Sequence, residues 1–307
     1  MASTRQPWAI VLAGGEGSRV RGLTRDAGGW SVPKQFWRFG HEPSLLERTL
    51  RRAQCLTPLD RVVPVVAEHH RRWWRSQLRH LPAGNVVVQS VSRGTATGLL
   101  APLLQVFWRE FDALVMVLPS DHHARDERPL EDALHRAIQA ASNWPGSVML
   151  LGIEPDAPDP DYGWVLPGPG RGAVPITRFV EKPPVATAAD LMRRGALWNS
   201  FMLVATARSL LGLYEAAQPE LLAASVDYLR AHGWQPERLP GLERTLPFRD
   251  FSRDVLEHVP ERLRVLRVPP CGWTDLGTPP RLAAWMTGQR AMAASSAEPA
   301  ATLARSA

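Results

Sequence analysis

Apolar residues in this chain arrive in short runs. The first, Trp8 to Ala13 (WAIVLA), ends in Gly14-Gly15, which predicts a buried strand feeding a tight loop. Comparable runs follow at Arg61 to Ala67, Asn85 to Gln89, Ala113 to Leu118 and Ser147 to Ile153. Between them the apolar spacing becomes helical. Ser44 to Gln54 carries Leu45, Leu46, Leu50 and Ala53, and Leu130 to Ser142 carries Leu134, Ala137, Ile138 and Ala141 on one face. Gly98 to Trp108 is apolar around much of its surface. Strands alternating with helices of these lengths predict an open, mostly parallel α/β sheet. Ligands in such sheets sit beyond the carboxyl ends of the strands.

The second half is less regular. Pro155 to Pro175 is rich in Pro and Gly and predicts loops around a short strand at Trp164 to Leu166. Further strands are expected at Ile176 to Val180, Ser200 to Ala205 and 261–268, with helices at Ala186 to Arg194 and 207–231. No linker marks a domain boundary and no internal repeat occurs. One domain is expected over residues 1–290, followed by a disordered Ala/Ser-rich tail over 291–307.

Composition narrows the class. No apolar run reaches the roughly eighteen residues a membrane span needs, and the N-terminus lacks a signal-peptide pattern. A cytoplasmic protein without a membrane partner is expected. Cys55 and Cys271 have no metal-type spacing and read as two buried thiols. The formal charge of +6 raises nucleic-acid binding, but the arginines are scattered among acids and apolar residues. The densest patch, His69 to Arg75, reads as an amphipathic surface helix, so no nucleic-acid partner is expected. Of the 36 basic residues only Lys34 and Lys182 are lysines. An ammonium is a compact point charge that a guanidinium does not replace in a tight phosphate site.

Both lysines stand among residues suited to phosphate chemistry. In Leu12-Ala13-Gly14-Gly15-Glu16-Gly17-Ser18-Arg19, three glycines after a buried strand let backbone N–H groups approach phosphate oxygens. The Ser18-Arg19 ending excludes a P-loop, and Val20 excludes the dinucleotide fingerprint. Arg19 can hold phosphate in a fork. Lys34 follows in Val32-Pro33-Lys34-Gln35-Phe36, and Lys182 in Phe179-Val180-Glu181-Lys182-Pro183-Pro184 at a strand end. Asp121, in Leu118-Pro119-Ser120-Asp121-His122-His123, is well placed after a buried strand to hold Mg²⁺. Joint metal ligation by His122 and His123 is awkward, because neighbouring side chains diverge. Asp275 in Gly272-Trp273-Thr274-Asp275-Leu276-Gly277 is either a turn former or a second carboxylate partnering Asp121.

Together these stretches resemble the nucleotide-sugar pyrophosphorylases (sugar-1-phosphate nucleotidyltransferases), and most closely the mannose-1-phosphate guanylyltransferases. The likeness runs over roughly residues 8–285 through LAGGEGSR, PKQF, QSVSRGTA, LPSDHH, LLGIEPDAPDPDYGW, FVEKPP, LWNSF and GWTDLG, in that order. It implies a Rossmann-like mixed, mostly parallel sheet flanked by helices, of the nucleotide-diphospho-sugar transferase type. It implies transfer of a nucleotidyl group from an NTP, GTP by the PKQF and RGTA pieces, to mannose 1-phosphate, giving GDP-mannose and pyrophosphate with Mg²⁺.

The resemblance also implies roles. Leu12, Ala13, Gly14, Gly15, Gly17 and Ser18 would wrap the nucleotide, Arg19 would meet the departing pyrophosphate, and Lys34 the α-phosphate. Gln89, Arg93, Gly94 and Thr95 would lie against base and ribose. Asp121 and Asp275 would hold Mg²⁺. Gly152, Tyr162, Gly163, Glu181 and Asn199 would surround the sugar, with Lys182 on its phosphate. Arg19, Lys34 and Asp121 would form the catalytic set.

The chain departs from the family pattern at Val20 and Gly22, which replace Leu and Pro at the loop exit. It departs again at Phe201, which replaces Gly and would crowd the sugar pocket or turn into the core. Neither a left-handed β-helix nor a fused isomerase domain is expected after Gly277. Three functional expectations stand: the reaction above, the same reaction with another hexose 1-phosphate or base, and a catalytically silent nucleotide-sugar sensor. A monomer and a homodimer are both compatible with the sequence.

Overall fold

The structure is a computed structural model that describes residues 6–233 and 239–297. Its strands among these residues are β1 (Trp8–Ala13), β2 (Val62–Ala67), β3 (Val87–Gln89), β4 (Leu114–Pro119), β5 (Val148–Ile153), β6 (Gly163–Pro167), β7 (Val174–Glu181), β8 (Leu197–Thr206) and β9 (Leu263–Arg267). The principal helices are α1 (Leu45–Gln54), α2 (Arg71–Gln77), α3 (Gly94–Arg109), α4 (Arg128–Asn143) and α5 (Val185–Arg193), then α6 (Ala207–Ala217), α7 (Pro219–His232), α8 (Leu239–Thr245), α9 (Phe251–Asp254) and α10 (Pro279–Ala297).

Every expected strand forms, within a few residues of the apolar run that predicts it. The helical stretch 207–231 divides at Gln218, because Pro219 opens a new helix where its missing N–H costs nothing. At α1 a capping box fixes the start: Ser44 Oγ accepts from Glu47 N, and Glu47 Oε2 accepts from Ser44 N. Such a cap is worth about 1 kcal/mol. The last helix continues to Ala297, through the first residues of the stretch expected as tail, while 298–307 lie outside the described residues.

The strands form one sheet in the order β3-β2-β1-β4-β8-β5-β9-β7-β6. The first part is parallel: β2 pairs with β3 and β1, and β1 with β4. The mostly parallel description holds there and for β5 with β9, which are also parallel. The remaining pairings are antiparallel, because β8 enters between β4 and β5 and a hairpin joins β6 to β7. β8 is bordered by β4 along its second half and by β6 at its start. The β6–β7 hairpin therefore sits beyond the carboxyl end of β4.

Alternation along β1 divides the core in two. Ala9, Val11 and Ala13 face one cluster, built with Leu46 and Leu50 of α1, Trp74 of α2, Leu134 of α4 and Leu191 of α5. Trp8 and Ile10 face the other, built with Leu99 and Leu103 of α3, Leu210 and Tyr214 of α6, Leu242 of α8 and Phe251 of α9. Helices thus cover both faces of the sheet, as strands buried on both sides require. Among the described residues no helix is long and apolar enough to cross a membrane. The basic patch forms a surface helix, with Trp74 inward and Arg71, Arg72 and Arg75 outward. Of the two thiols only Cys271 is buried. Cys55 is exposed, because it falls at the open C-terminal end of α1.

Candidate active site

The loop after β1 is held open by its neighbours. Gln35 is buried, and its Nε2 donates to the carbonyls of Ala13 (3.0 Å) and Gly15 (2.7 Å). Ser120, just past the end of β4, donates from both N (3.0 Å) and Oγ (2.7 Å) to the Leu12 carbonyl. Gly17 has φ +58°, and a Cβ there would meet Lys34 N at 3.1 Å. Only glycine adopts that conformation without cost so close to a second backbone.

Two cavities open beside this loop. The larger, about 400 Å³, is lined by Leu12 to Gly15, Gln35, Gln89, Gly94, Thr95, Asp121, Phe201 and Asp250, among others. The smaller, about 290 Å³, is lined by Glu16 to Val20, Lys34, Asp121, Asp275 and Gly277. Asp121 belongs to both and joins them. The structure thus gathers Arg19, Lys34, Asp121 and Asp275, which are far apart in sequence, onto one cavity.

Lys34 is only 5% exposed. Its Nζ pairs with Asp121 Oδ2 at 3.1 Å and donates to the Asp275 carbonyl oxygen. Burial pushes the Asp121 carboxyl up, but Lys34 and then His122 outweigh it and hold the group below its ordinary value. Asp275 behaves alike: burial raises it, while His122, Arg281, the Gly277 N–H and Lys34 bring it down. Two ionised carboxylates facing one cavity fit a hard divalent cation such as Mg²⁺.

Asp275 is fixed from beneath. Its Oδ1 accepts from Tyr162 Oη (2.9 Å), Arg281 Nη1 (2.7 Å) and Gly277 N (3.0 Å). Arg281 also donates to Asp159, lies 3.5 Å from Asp161, and stands 4.4 Å above the Tyr162 ring. Asp161 in turn lies 3.5 Å from Arg19. Tyr162 is buried against Trp198, with ring centroids 4.4 Å apart. Its hydroxyl is pushed up by burial and by Asp275, so it remains a donor.

His122 and His123 diverge. His122 Nε2 lies 3.4 Å from Asp121 Oδ1 and burial pushes its pKa down, whereas the His123 ring stands edge-on to Trp285. The β6–β7 hairpin brings a second group together. Glu181 pairs with Lys182 at 3.1 Å. A Cβ on Gly163 would sit 2.5 Å from Glu181 Oε2 and 3.4 Å from Asn199 Cβ. Burial keeps the Glu181 carboxyl above its ordinary value despite Lys182. Asn199 Oδ1 accepts from Phe201 N at 3.1 Å.

Several candidate residues have side chains or space committed elsewhere; Gly94, for one, packs so close to the Arg249 carbonyl that a Cβ would strike it. The Arg93 guanidinium donates to the carbonyls of Glu243 and Arg244 in α8. Thr95 lines the larger cavity, but its hydroxyl is engaged by Asp250 and by Phe251 N. Gly152 lies in β5 opposite Asn199, and a Cβ on it would strike Leu197 and Val265, so its size serves strand packing. Phe201 lines the larger cavity in which Gln89 stands, with its ring 5.9 Å from Phe251. It therefore crowds the cavity in which Gln89 stands and packs on the core.

Arg281, Asp159, Asp250 and the bracing role of Gln35 were not legible in the sequence. Arg281 is one of many arginines, and nothing local distinguishes it. Gln35 lies inside a recognised motif, and its position beside Lys34 is the available signal.

Residues 8–289 match the family model described as Nucleotidyl transferase. The chain is 32% identical over 285 residues to the xanthan biosynthesis protein XanB of Xanthomonas campestris pv. campestris, covering 88% of this chain and 57% of that protein. It is 29% identical to the mannose-1-phosphate guanylyltransferase RfbM of Salmonella typhimurium, covering 88% and 56% respectively. The chain therefore spans a little over half the length of these curated relatives. The crystal structure of mannose-1-phosphate geranyltransferase from Thermus thermophilus superposes with a TM-score of 0.77 at 27% identity, covering 89% of this chain and 76% of that one. With its phosphate-type loop, paired carboxylates and family match over nearly the whole described fold, the chain belongs to the nucleotidyl transferase family.

Proposed function

We propose that the chain transfers a guanylyl group from GTP to mannose 1-phosphate, giving GDP-mannose and pyrophosphate in a Mg²⁺-dependent reaction in the cytoplasm. The observation that carries this reading is the convergence of Arg19, Lys34, Asp121 and Asp275 on one cavity beside the Gly14-Gly15 loop. Its partners are the two small molecules, with no nucleic acid, and the working unit is a monomer or a homodimer.

An oxygen of the sugar phosphate attacks the α-phosphorus in line. The new P–O bond forms as the bond to the α–β bridging oxygen breaks, and that oxygen leaves on pyrophosphate. No covalent enzyme intermediate is required, so catalysis rests on positioning and charge stabilisation. Lys34, buried and anchored by Asp121, neutralises charge at the α-phosphate. Arg19, on the exposed rim, meets the departing pyrophosphate. Asp121 and Asp275 would hold Mg²⁺, which when bound supplies charge neutralisation at the phosphates. Leu12, Ala13, Gly14, Gly15, Gly17 and Ser18 take the nucleotide, with Gln89, Gly94 and Thr95 on the base and ribose side. Glu181, Asn199 and Gly163 take the sugar and Lys182 its phosphate, while Tyr162 acts through Asp275.

A second reading keeps the reaction and changes the nucleotide. It is favoured by Phe201, which lines the cavity shared with Gln89. Pyrophosphate release across a panel of nucleoside triphosphates and hexose 1-phosphates separates the two. Turnover with GTP and mannose 1-phosphate is expected. Turnover confined to another base selects the second reading, and GDP-mannose binding without any turnover overturns both in favour of a silent sensor.

A further inference from the structure

Glu16 stands between the glycines of the loop, and its carboxylate faces the turn after β2. There the short 3₁₀ turn Glu68–His70 presents two adjacent histidines. Neighbouring histidines ordinarily diverge, as His122 and His123 do. Here the tight turn tilts both rings toward the same place, with their centroids 4.1 Å apart. His69 Nε2 lies 2.8 Å from Glu16 Oε1, and His70 Nε2 lies 3.7 Å from Glu16 Oε2. One potential ligand atom from each of the three residues falls within 4.8 Å of the others.

His70 is the informative member. It is 2% exposed and held edge-on by Phe36 and Trp73. Its Nδ1 is buried with no hydrogen-bond partner, and the 3.7 Å from Nε2 to Glu16 exceeds a hydrogen bond. The Nε2 that faces Glu16 has no protein hydrogen bond of its own and is free to meet an ion lying between them.

We propose that Glu16, His69 and His70 form a binding site for a divalent transition-metal ion of the Zn²⁺ class, separate from the Asp121–Asp275 pair. Two imidazoles and one carboxylate are a donor set that suits such ions and not Mg²⁺. Metal–ligand bonds of about 2.0–2.1 Å in a tetrahedron place donors roughly 3.3 Å apart. One ligand atom from each residue within 4.8 Å of the others is close enough for small side-chain shifts to reach that spacing. Three protein donors leave one coordination position open. Arg21, whose Nη2 lies 3.1 Å from Glu16 Oε2, is the group that must yield, and it is half exposed, so releasing it costs little. Because Glu16 lies between Gly15 and Gly17, an ion held here fixes the loop that lines both cavities.

Cobalt(II) titration of the untagged full chain tests this directly, with Zn²⁺ competition in the same experiment. Visible absorption bands of low-coordinate cobalt are expected to saturate at one ion per chain and to be erased by Zn²⁺. His69→Ala and Glu16→Gln should each weaken binding about a hundredfold or more. Both side chains are partly exposed, so these variants are expected to fold, which circular dichroism checks. Asp121→Asn combined with Asp275→Asn should leave the bands unchanged. Absence of the bands in the wild-type chain overturns the proposal. So do bands that survive His69→Ala, or bands lost only in the double Asp variant, which would assign the ion to the paired carboxylates.

Discussion

The two halves of this molecule build their parts of the site in different ways. In the first half, the loop after β1 is one continuous stretch of sequence, relaxed by glycine where φ is positive, as at Gly17. It is braced by hydrogen bonds from Gln35 and Ser120. In the second half the site comes from distant pieces, and the backbone carries the cost. Lys182, Phe201 and Leu276 all have positive φ without being glycine, each at a cost on the order of 1–2 kcal/mol. Glu181 adds a buried carboxyl whose pKa is raised by burial. Such strain persists only where surrounding structure enforces it, and it concentrates at functional sites. Stability and function thus coincide in the first half and compete in the second.

The largest expected effect lies in the first half. Lys34 occupies a nearly closed space between Asp121 and the Asp275 carbonyl. Replacing it by arginine should lower kcat for pyrophosphate release by about 10²–10³, the scale for losing one transition-state donor, because a planar fork does not fit where a compact ammonium sits. Near-normal turnover in Lys34→Arg would remove the special standing of that buried site.

Arg281 is the next test, because it ties together the distant pieces from which the second half builds its part of the site. It bridges Asp159, Asp161 and Asp275. Arg281→Ala leaves three carboxylates facing one another and should cost about 2–3 kcal/mol in denaturant unfolding, given the partial burial. It should also lower activity, since Asp275 loses its principal anchor. Full stability together with full activity would show that Tyr162 and Gly277 hold Asp275 unaided.

Phe201 sharpens the contrast in backbone strain. At an ordinary position alanine is more stable than glycine, but at φ +60° the order should reverse. Phe201→Gly is expected to be more stable than Phe201→Ala by about 1–2 kcal/mol. Equal melting temperatures for the two variants would mean that the backbone relaxes.

The smallest expected effect is at Glu181. A carboxyl raised on folding binds protons more readily in the folded than in the unfolded chain. It therefore favours folding below its ordinary pKa, and that contribution is lost as pH rises through the raised folded value. Glu181→Gln should accordingly gain stability relative to wild type at neutral pH, and the gain should shrink as pH falls toward the ordinary carboxylate range. A pH-independent difference would locate the cost in geometry and not in charge.

The strands were legible from the chain. Most follow from a short apolar run, because burial on both sheet faces leaves a plain signature, as along β1, β2, β4 and β5. The short helices α8 and α9 were not, since they are too brief to show a period. Arg93 shows why a motif names neighbours better than roles. It stands in a recognisable stretch, yet its guanidinium is spent on the carbonyls of α8. Gly152 likewise serves strand packing at the bulge.

What the sequence determined by itself was local: the strand runs, the glycine loop, the rarity of lysine, and the residues able to meet phosphate. These follow from hydrophobic spacing and from side-chain chemistry, which each residue carries wherever it goes. Partnership was settled in three dimensions. Asp275 comes to Asp121 because the segments after β4 and β9 leave the sheet at the same, carboxyl end, where His123 and Thr274 form a bridge. Arg281 joins them because α10 begins beside Asp159. Glu16 meets His69 and His70 because β1 and β2 are neighbours in parallel register. Such contacts join residues tens to hundreds of positions apart, and which of many similar arginines, aspartates or histidines makes them depends on sheet order. Local composition does not encode that order.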